Sequence, residues 1–273
     1  MKTRVLITVK TYPTLSGKYI ELVCNAGIRE DGSWIRIYPV PYRLLEDKDK
    51  YKKWQWIELD LTKNEGDMRP ESYRPTDIDS GIEITGEIDT KGNWGERKKW
   101  VLKNVYYNME NLIDDCYANG TSLATVKPQK IIDFVCKPCA SEWDHKKLEQ
   151  AYSKAKQGNL FDENAVRQSF RIVKKLPYEF SYKFITEDGK ERTLMIEDWE
   201  IGTLYWNCYN KYKDEEKARE KVKEKYFEEM AKKRDLYLFV GTTLTFQKKR
   251  ALNPFIIIGT FYPNIETQRS IEF

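Results

Sequence analysis

The sequence predicts an α+β fold built on a curved mixed β-sheet or small β-barrel with flanking helices, on three observations. Short apolar runs rich in β-branched residues recur between Gly and Pro punctuation, from Val5-Leu6-Ile7-Thr8-Val9 near the start to Phe255-Ile256-Ile257-Ile258 near the end. Only a few segments with helical periodicity interrupt them. Aromatic residues are abundant, with 18 Tyr, 11 Phe and 8 Trp, which suits a β-rich core or a set of stacking platforms.

A chain of 273 residues can bury a substantial core. The expected organisation is an N-terminal β-rich lobe over 1–157 and a C-terminal α+β lobe over 165–273, packed as one compact unit. The polar, Gly-containing stretch 157–164 is the expected boundary.

The elements follow in order. Residues 4–10 read as a strand. Ser16 is placed to cap a helix over 17–26 holding Ile20, Val23 and Cys24 on one face, with Gly27 to end it. Asp31-Gly32 turns the chain into a strand over 34–38, with Trp34 and Arg36 on one face and Ile35 and Ile37 on the other, stopped by Pro39 and Pro41. Tyr42 and Arg43 follow in a rim segment suited to the edge of a pocket. Strands are expected over 54–61 and 82–88, joined by a polar loop that carries Arg69, Tyr73 and Arg74 between prolines. Residues 93–100 place three basic side chains between Trp94 and Trp100 in an irregular segment, and 103–116 read as a helix with Val105, Met109, Leu112 and Ile113 buried.

Residues 123–135 give a strand, a bend at Lys127-Pro128 and a second strand, and a helix follows near 144–156. The β pattern resumes over 170–174. It leads into a hairpin in which Tyr182 and Phe184 face Leu194 and Ile196 across Asp188-Gly189. Helices are expected near 199–210 and, capped by Asp214, over 214–233. The apolar runs 236–240 and 255–259 read as strands buried on both faces, with the basic loop Lys248-Lys249-Arg250 between them.

Composition excludes several classes of function. Lys and Arg number 47 against 43 Asp and Glu, so no global field draws in a polyanion and any basic surface is local. No window is long and apolar enough for a membrane span or a signal peptide, and a cytoplasmic protein is expected. Five scattered cysteines fit reduced thiols rather than a disulfide frame. Neither a GxxxxGK nor a GxGxxG loop follows a strand, so no nucleotide cofactor is expected. Cys136, Cys139 and His145 offer three zinc ligands without a fourth nearby, so two cysteines at the end of a strand is the preferred reading, and neither metal nor cofactor is expected.

The densest chemistry lies at Glu197-Asp198-Trp199-Glu200. On a strand end, Asp198 and Glu200 would share a face, close enough to raise one pKa or to hold a divalent cation through oxygen ligands; at a helix start, Asp198 is a cap, the favoured reading. Carboxylates beside Trp199 and Tyr205 also suit enzymes that act on a flipped nucleobase. Basic and aromatic residues recur together around Arg69 and Arg74, around Arg97 and Lys99, and between Phe246 and Arg250. If these converge, Lys and Arg meet phosphates while rings stack bases.

The opening pattern, with its Trp34-Ile35-Arg36-Ile37-Tyr38-Pro39 element, resembles the small β-barrel modules of the PUA and ASCH type over the first ~90 residues. Those modules bind RNA or modified bases, and the resemblance implies a barrel.

The leading expectation is therefore a protein that binds DNA or RNA, with modified bases among its targets, through a basic, aromatic-lined groove. Arg36, Tyr42, Arg43, Arg69, Tyr73 and Arg74 would contribute from the first half. Trp94, Arg97, Lys99, Trp199, Tyr205, Lys248, Lys249 and Arg250 would complete the groove. The alternatives are a hydrolase acting on nucleic acid, base-excising or nuclease-like, with Asp198 and Glu200 as its acids, and a subunit of a protein assembly.

Overall fold

The computed structural model describes residues 2–16, 20–40, 42–45, 47–77, 81–158 and 173–266. Its first half is one sheet of β1 (Lys2–Lys10), β2 (Thr14–Ser16), β3 (Ile20–Arg29), β4 (Trp34–Val40), β5 (Gln55–Lys63), β6 (Ser72–Pro75) and β7 (Glu83–Glu87). The order β1-β3-β4-β6-β5 returns to β1, because β5 also pairs with β1 from Lys2 opposite Asp60 to Leu6 opposite Trp56. The result is a closed five-stranded barrel inside an α+β fold, with β2 and β7 attached to β3 and β5. The sheet is mixed, since β4 and β6 run parallel.

Period-two alternation sorts the side chains. Val5, Ile7, Val23, Ile35, Ile37, Ile57, Leu59 and Leu61 fill the barrel. Leu6, Ala26, Ile28 and Trp56 face outward into a second core with Leu123, Phe239, Ile256, Ile258 and Phe261.

Of the expected helix over 17–26, residues 20–26 are instead part of β3, and 17–19 lie outside the described residues. Antiparallel pairing with both β1 and β4 outweighs the helical spacing of Ile20, Val23 and Cys24. Gly27 does not end a helix either: a Cβ there would lie 2.3 Å from the Leu6 carbonyl oxygen, so the glycine permits the close approach of β1. Pro39 does not stop β4, which runs on to Val40.

The segment expected to be irregular, 93–100, lies in helix α1 (Lys91–Val101), which opens on left-handed Gly92, Asn93 and Trp94. Asn93 pins that start by exchanging two hydrogen bonds with the Asn264 backbone. The helix expected from 103 begins later, as α2 (Met109–Ala118), capped by the Asn108 side chain, after the short strand β8 (Val105–Tyr106).

Beyond α1 lie two further sheets. One has the order β14 (Phe255–Phe261), β13 (Tyr237–Thr242), β9 (Leu123–Val126) and β8. The other joins β10 (Lys130–Pro138), β11 (Tyr178–Ile185) and β12 (Glu191–Met195). β11 and β12 are the expected hairpin, with Gly189 left-handed in its turn (φ 70°) and Tyr182 opposite Leu194. Helix α3 (His145–Gly158) follows β10. The boundary stretch beyond Gly158 and the expected strand start at 170–172 lie outside the described residues.

Helix α4 (Trp199–Tyr212) follows the hairpin, then α5 (Glu215–Lys223), which continues as a π-helix over Glu224–Ala231. Tyr182, Phe184, Ile201, Tyr205, Val222, Tyr226 and Met230 form the core of this half. Helix α6 (Leu244–Lys248) is a short turn after β13. No helix among the described residues is long and apolar enough to cross a membrane.

Candidate functional site

A single-residue crossing links the two halves. After β12 the chain passes between barrel and second sheet: the Glu197 N–H donates to Ile257 O (2.8 Å), and its carbonyl accepts from the Tyr12 N–H (3.0 Å). Asp198 bridges to Thr11, and Ile196 to Ile257. This crossing places Glu197 in a cleft of about 440 Å³ between the outer barrel face and the β13–β14 hairpin. That volume is within the roughly 300–1,000 Å³ of small-ligand sites.

Arg36, Cys24, Asn64, Arg69 and Glu197 line the cleft, together with Thr11, Thr14, Thr242 and Thr243 and an apolar wall from Ile256 and Ile258. Arg36 reaches it because Ile35 and Ile37 take the barrel interior and the alternate position points outward. Its guanidinium donates to Ser122 Oγ (2.8 Å), Ser122 O (3.0 Å) and Ser72 Oγ (3.2 Å). Burial, and then the nearby Arg69 charge, disfavour its charged form, which these acceptors offset.

Arg69 is held by the Asp67 carboxylate, with Nε 2.8 Å and Nη2 2.5 Å away, and by Thr242 O at 2.6 Å. Burial pushes the Asp67 carboxyl up, but the bonds from Arg69 outweigh it and hold the group below its ordinary range. Burial also pushes the Cys24 thiol up, against the pull of Arg36 and Arg69, so Cys24 is a neutral thiol rather than a nucleophilic thiolate. Glu197 is raised as well, by burial and then by Glu179.

The sequence-predicted residues divide among several places. Arg36 and Arg69 meet in the cleft. Tyr42 and Trp199 come together elsewhere, edge to face at 5.6 Å, with the Lys10 ammonium 4.2 Å and 5.3 Å from their rings. Burial brings Lys10 down to about 8 there. Arg43 pairs with Glu21 at 2.6 Å. Tyr73 is covered by Arg29 and Lys63, at 4.6 and 5.1 Å from its ring, while Arg74 is exposed on β6. Arg97 stacks on Trp54 (4.6 Å) and Trp94 (5.4 Å), and Trp94 packs on Phe261, so these rings belong to the junction of the halves. Lys99 is exposed and pairs with Glu96. Tyr205 is wholly buried and offers no face to solvent.

Asp198 is the N-cap of α4. Its carboxylate accepts from the Ile201 N–H (2.7 Å) and from the Tyr226 hydroxyl (2.9 and 3.1 Å). Burial, and next the Glu200 charge, push it up to about 6. Glu200 is partly exposed and pairs with Lys53 at 3.0 Å. Neither lines the cleft. Cys136, Cys139 and His145 form no metal-ligand group among the described residues.

Sequence reasoning missed Cys24, Asn64 and the cleft threonines. They come from strand and loop positions far apart in the chain, and no spacing signals them.

The rim of the cleft is more exposed. Thr243 caps α6, Leu244 lines the cleft, and the helix ends on exposed Lys248, Lys249 and Arg250. Arg250 lies over the Tyr117 ring at 4.8 Å. Phe246 on α6 and Met68, between the cleft residues Asp67 and Arg69, are 45% and 64% exposed.

Two family models match the chain: a domain of unknown function (DUF8758) over residues 1–103, and a domain of unknown function (DUF8757) over residues 105–272. The second match spans more than half of the sequence, and the chain belongs to that family. No curated protein matches it.

Proposed function

We propose that this member of the DUF8757 family binds DNA or RNA and takes a single unstacked base into the cleft between barrel and β13–β14 hairpin. The observation that carries this reading is the cleft itself. It combines a volume suited to one small ring system with hydrogen-bonding groups of both kinds on an apolar wall. A flipped base needs donors and acceptors for its edge and an apolar surface for its face. A polar metabolite would use the first property and leave the second unused.

The rim supports the same reading. Lys248 and Lys249 stand exposed at the end of the helix that lines the cleft, where a phosphate backbone would pass. Met68 and Phe246 offer apolar surface for neighbouring bases. The even overall charge limits the electrostatic contribution to this rim, so affinity should depend on the base as well as the backbone.

Fluorescence anisotropy with single-stranded and duplex DNA and RNA, from about 50 to 200 mM salt, tests the reading. The expected result is binding that favours single strands or unpaired bases and weakens as salt rises. Thr14→Trp, which fills the cleft from its exposed edge, should weaken single-strand binding about tenfold or more. Absence of binding at the lowest salt would overturn the proposal.

A further inference from the structure

Two buried guanidiniums line the cleft, and the protein uses a different edge of each. Arg69 spends its Nε and Nη2 edge on the Asp67 carboxylate and gives Nη1 to Thr242 O. Arg36 is engaged from the other side. Its Nη1 donates to Ser72 Oγ and Ser122 Oγ and its Nη2 to Ser122 O, while among the described residues its Nε–H donates to no protein oxygen. Because Nη1 and Nη2 meet Ser122 together, the Nε and Nη2 edge of Arg36 holds two donors side by side without an oxygen to receive them. The Cys24 thiol lies beside this guanidinium in the cleft, and a thiol is a weak acceptor. The side chain is 2% exposed, and its support is rigid: Ser122 is held in turn by the Glu71 carboxylate, through its N–H (2.9 Å) and its Oγ (2.8 Å). A charged donor pair fixed in a buried position without acceptors is costly unless something outside the protein completes it.

Resting on the nucleic-acid reading above, we propose that Arg36 is the specificity-determining residue of the cleft and selects a base that presents two adjacent acceptors. A guanidinium edge carries two donors and no acceptor, and it cannot exchange one for the other. Two bases match it, guanine by O6 and N7 and cytosine by O2 and N3. Thymine and uracil set the N3–H donor beside each carbonyl, and adenine sets its amino group beside N1 and N7, so each meets one Arg36 donor with a donor of its own. Adenine N3 offers one acceptor alone. Ile256 and Ile258 supply apolar surface for the face of either matching base.

The test uses oligothymidine strands carrying one central G, C or A, compared with the all-T strand by fluorescence anisotropy, with wild-type protein and Arg36→Lys. Wild type should bind the G or the C strand about tenfold tighter than the all-T strand, and the A strand within about twofold of it. Exchanging one acceptor for C–H, as 7-deazaguanine in place of G or 3-deazacytosine in place of C, should bring the preferred strand down to the all-T level; which exchange does so identifies the edge that is read. Arg36→Lys keeps the charge and loses the fork, so its ratio should fall below about twofold, with thermal melts to show that it is folded. The deaza strands need no variant and decide the assignment if Arg36→Lys does not fold. Wild-type ratios near one for both G and C, an equal gain for A, a preference that survives the deaza base, or one that survives Arg36→Lys overturns the assignment while leaving nucleic-acid binding intact. Failure of every strand to bind at low salt overturns the binding proposal, and the assignment with it.

Discussion

Replacing Asp198 separates a structural carboxyl from a catalytic one. Asp198→Ala removes the cap of α4, worth about 1 kcal/mol, and strands the buried Tyr226 hydroxyl, worth about 1–3 kcal/mol more. The expected loss is therefore roughly 2–4 kcal/mol, a large share of the stability of an ordinary domain. Asp198→Asn keeps an oxygen that accepts from both donors and carries no charge into the core, so it should lie within about 1 kcal/mol of the parent near pH 4 and be at least as stable as the parent at neutral pH. The wild-type carboxyl sits near 6 when folded, against 3.8 as its ordinary value, so the folded state binds this proton more tightly. The resulting stability is complete below about pH 4 and is lost as pH rises through about 6, on the order of 2–3 kcal/mol. Asp188, held down to about 2 by its bonds from Arg192 against the opposing effect of burial, contributes in the opposite window, so the quantity to compare is the difference between the two proteins. Urea denaturation of wild type and Asp198→Asn from pH 4 to pH 8 supplies it. Parallel pH profiles, or an Asn variant as unstable as the Ala variant, would refute the buried-cap account. Loss of a nucleic-acid cleavage activity in Asp198→Asn, with stability unchanged, would return Asp198 to catalysis.

Three further outcomes follow from particular contacts. Gly202→Ala should destabilise by about 1–3 kcal/mol, although alanine is the better helix former by about 1 kcal/mol, because its Cβ would lie 2.1 Å from the Tyr12 ring; thermal melts give the sign directly. Arg69→Met should cost about 3–5 kcal/mol by leaving Asp67 buried without its partner, and the double variant Arg69→Met with Asp67→Leu should recover much of that loss in the same denaturation assay. Replacing both Lys248 and Lys249 by Ala should lower nucleic-acid affinity uniformly across sequences and reduce the slope of log affinity against log salt by about 2, with little change in melting temperature; an unchanged slope would remove them from the phosphate path.

Local pattern was sufficient wherever the deciding interactions lie between neighbours in the chain. The β11–β12 hairpin was legible because alternation and an Asp-Gly turn suffice to pair adjacent strands, and the Asp198 cap because N-capping spans three residues. The α+β class was legible for the same reason, because most strands announce themselves by alternation or by a β-branched run, although the barrel strands β3 and β6 did not and closure rests on the long-range pairing of β1 with β5. The resemblance to small barrel modules reached the right architecture even though the helix within its opening pattern is β3. Residues 20–26 satisfy helical and strand periodicity about equally, and pairing of β3 on both sides with β1 and β4 decided between them. Alternation could set Arg36 opposite Ile35 and Ile37, but not show that its outer face would be covered by Ser122 and the β13–β14 hairpin rather than by water. Likewise, charge pattern marked Arg97 and Trp94 as candidates for a groove, and only packing turned them into the junction of two cores. The cleft brings together β1, β3, β4, the loop after β5, the crossing at Glu197 and the end of β13. Closing so many loops costs entropy that burial of the core shared by the two halves and of the second half's own core repays, so the site is set by that global packing and is written in no stretch of sequence.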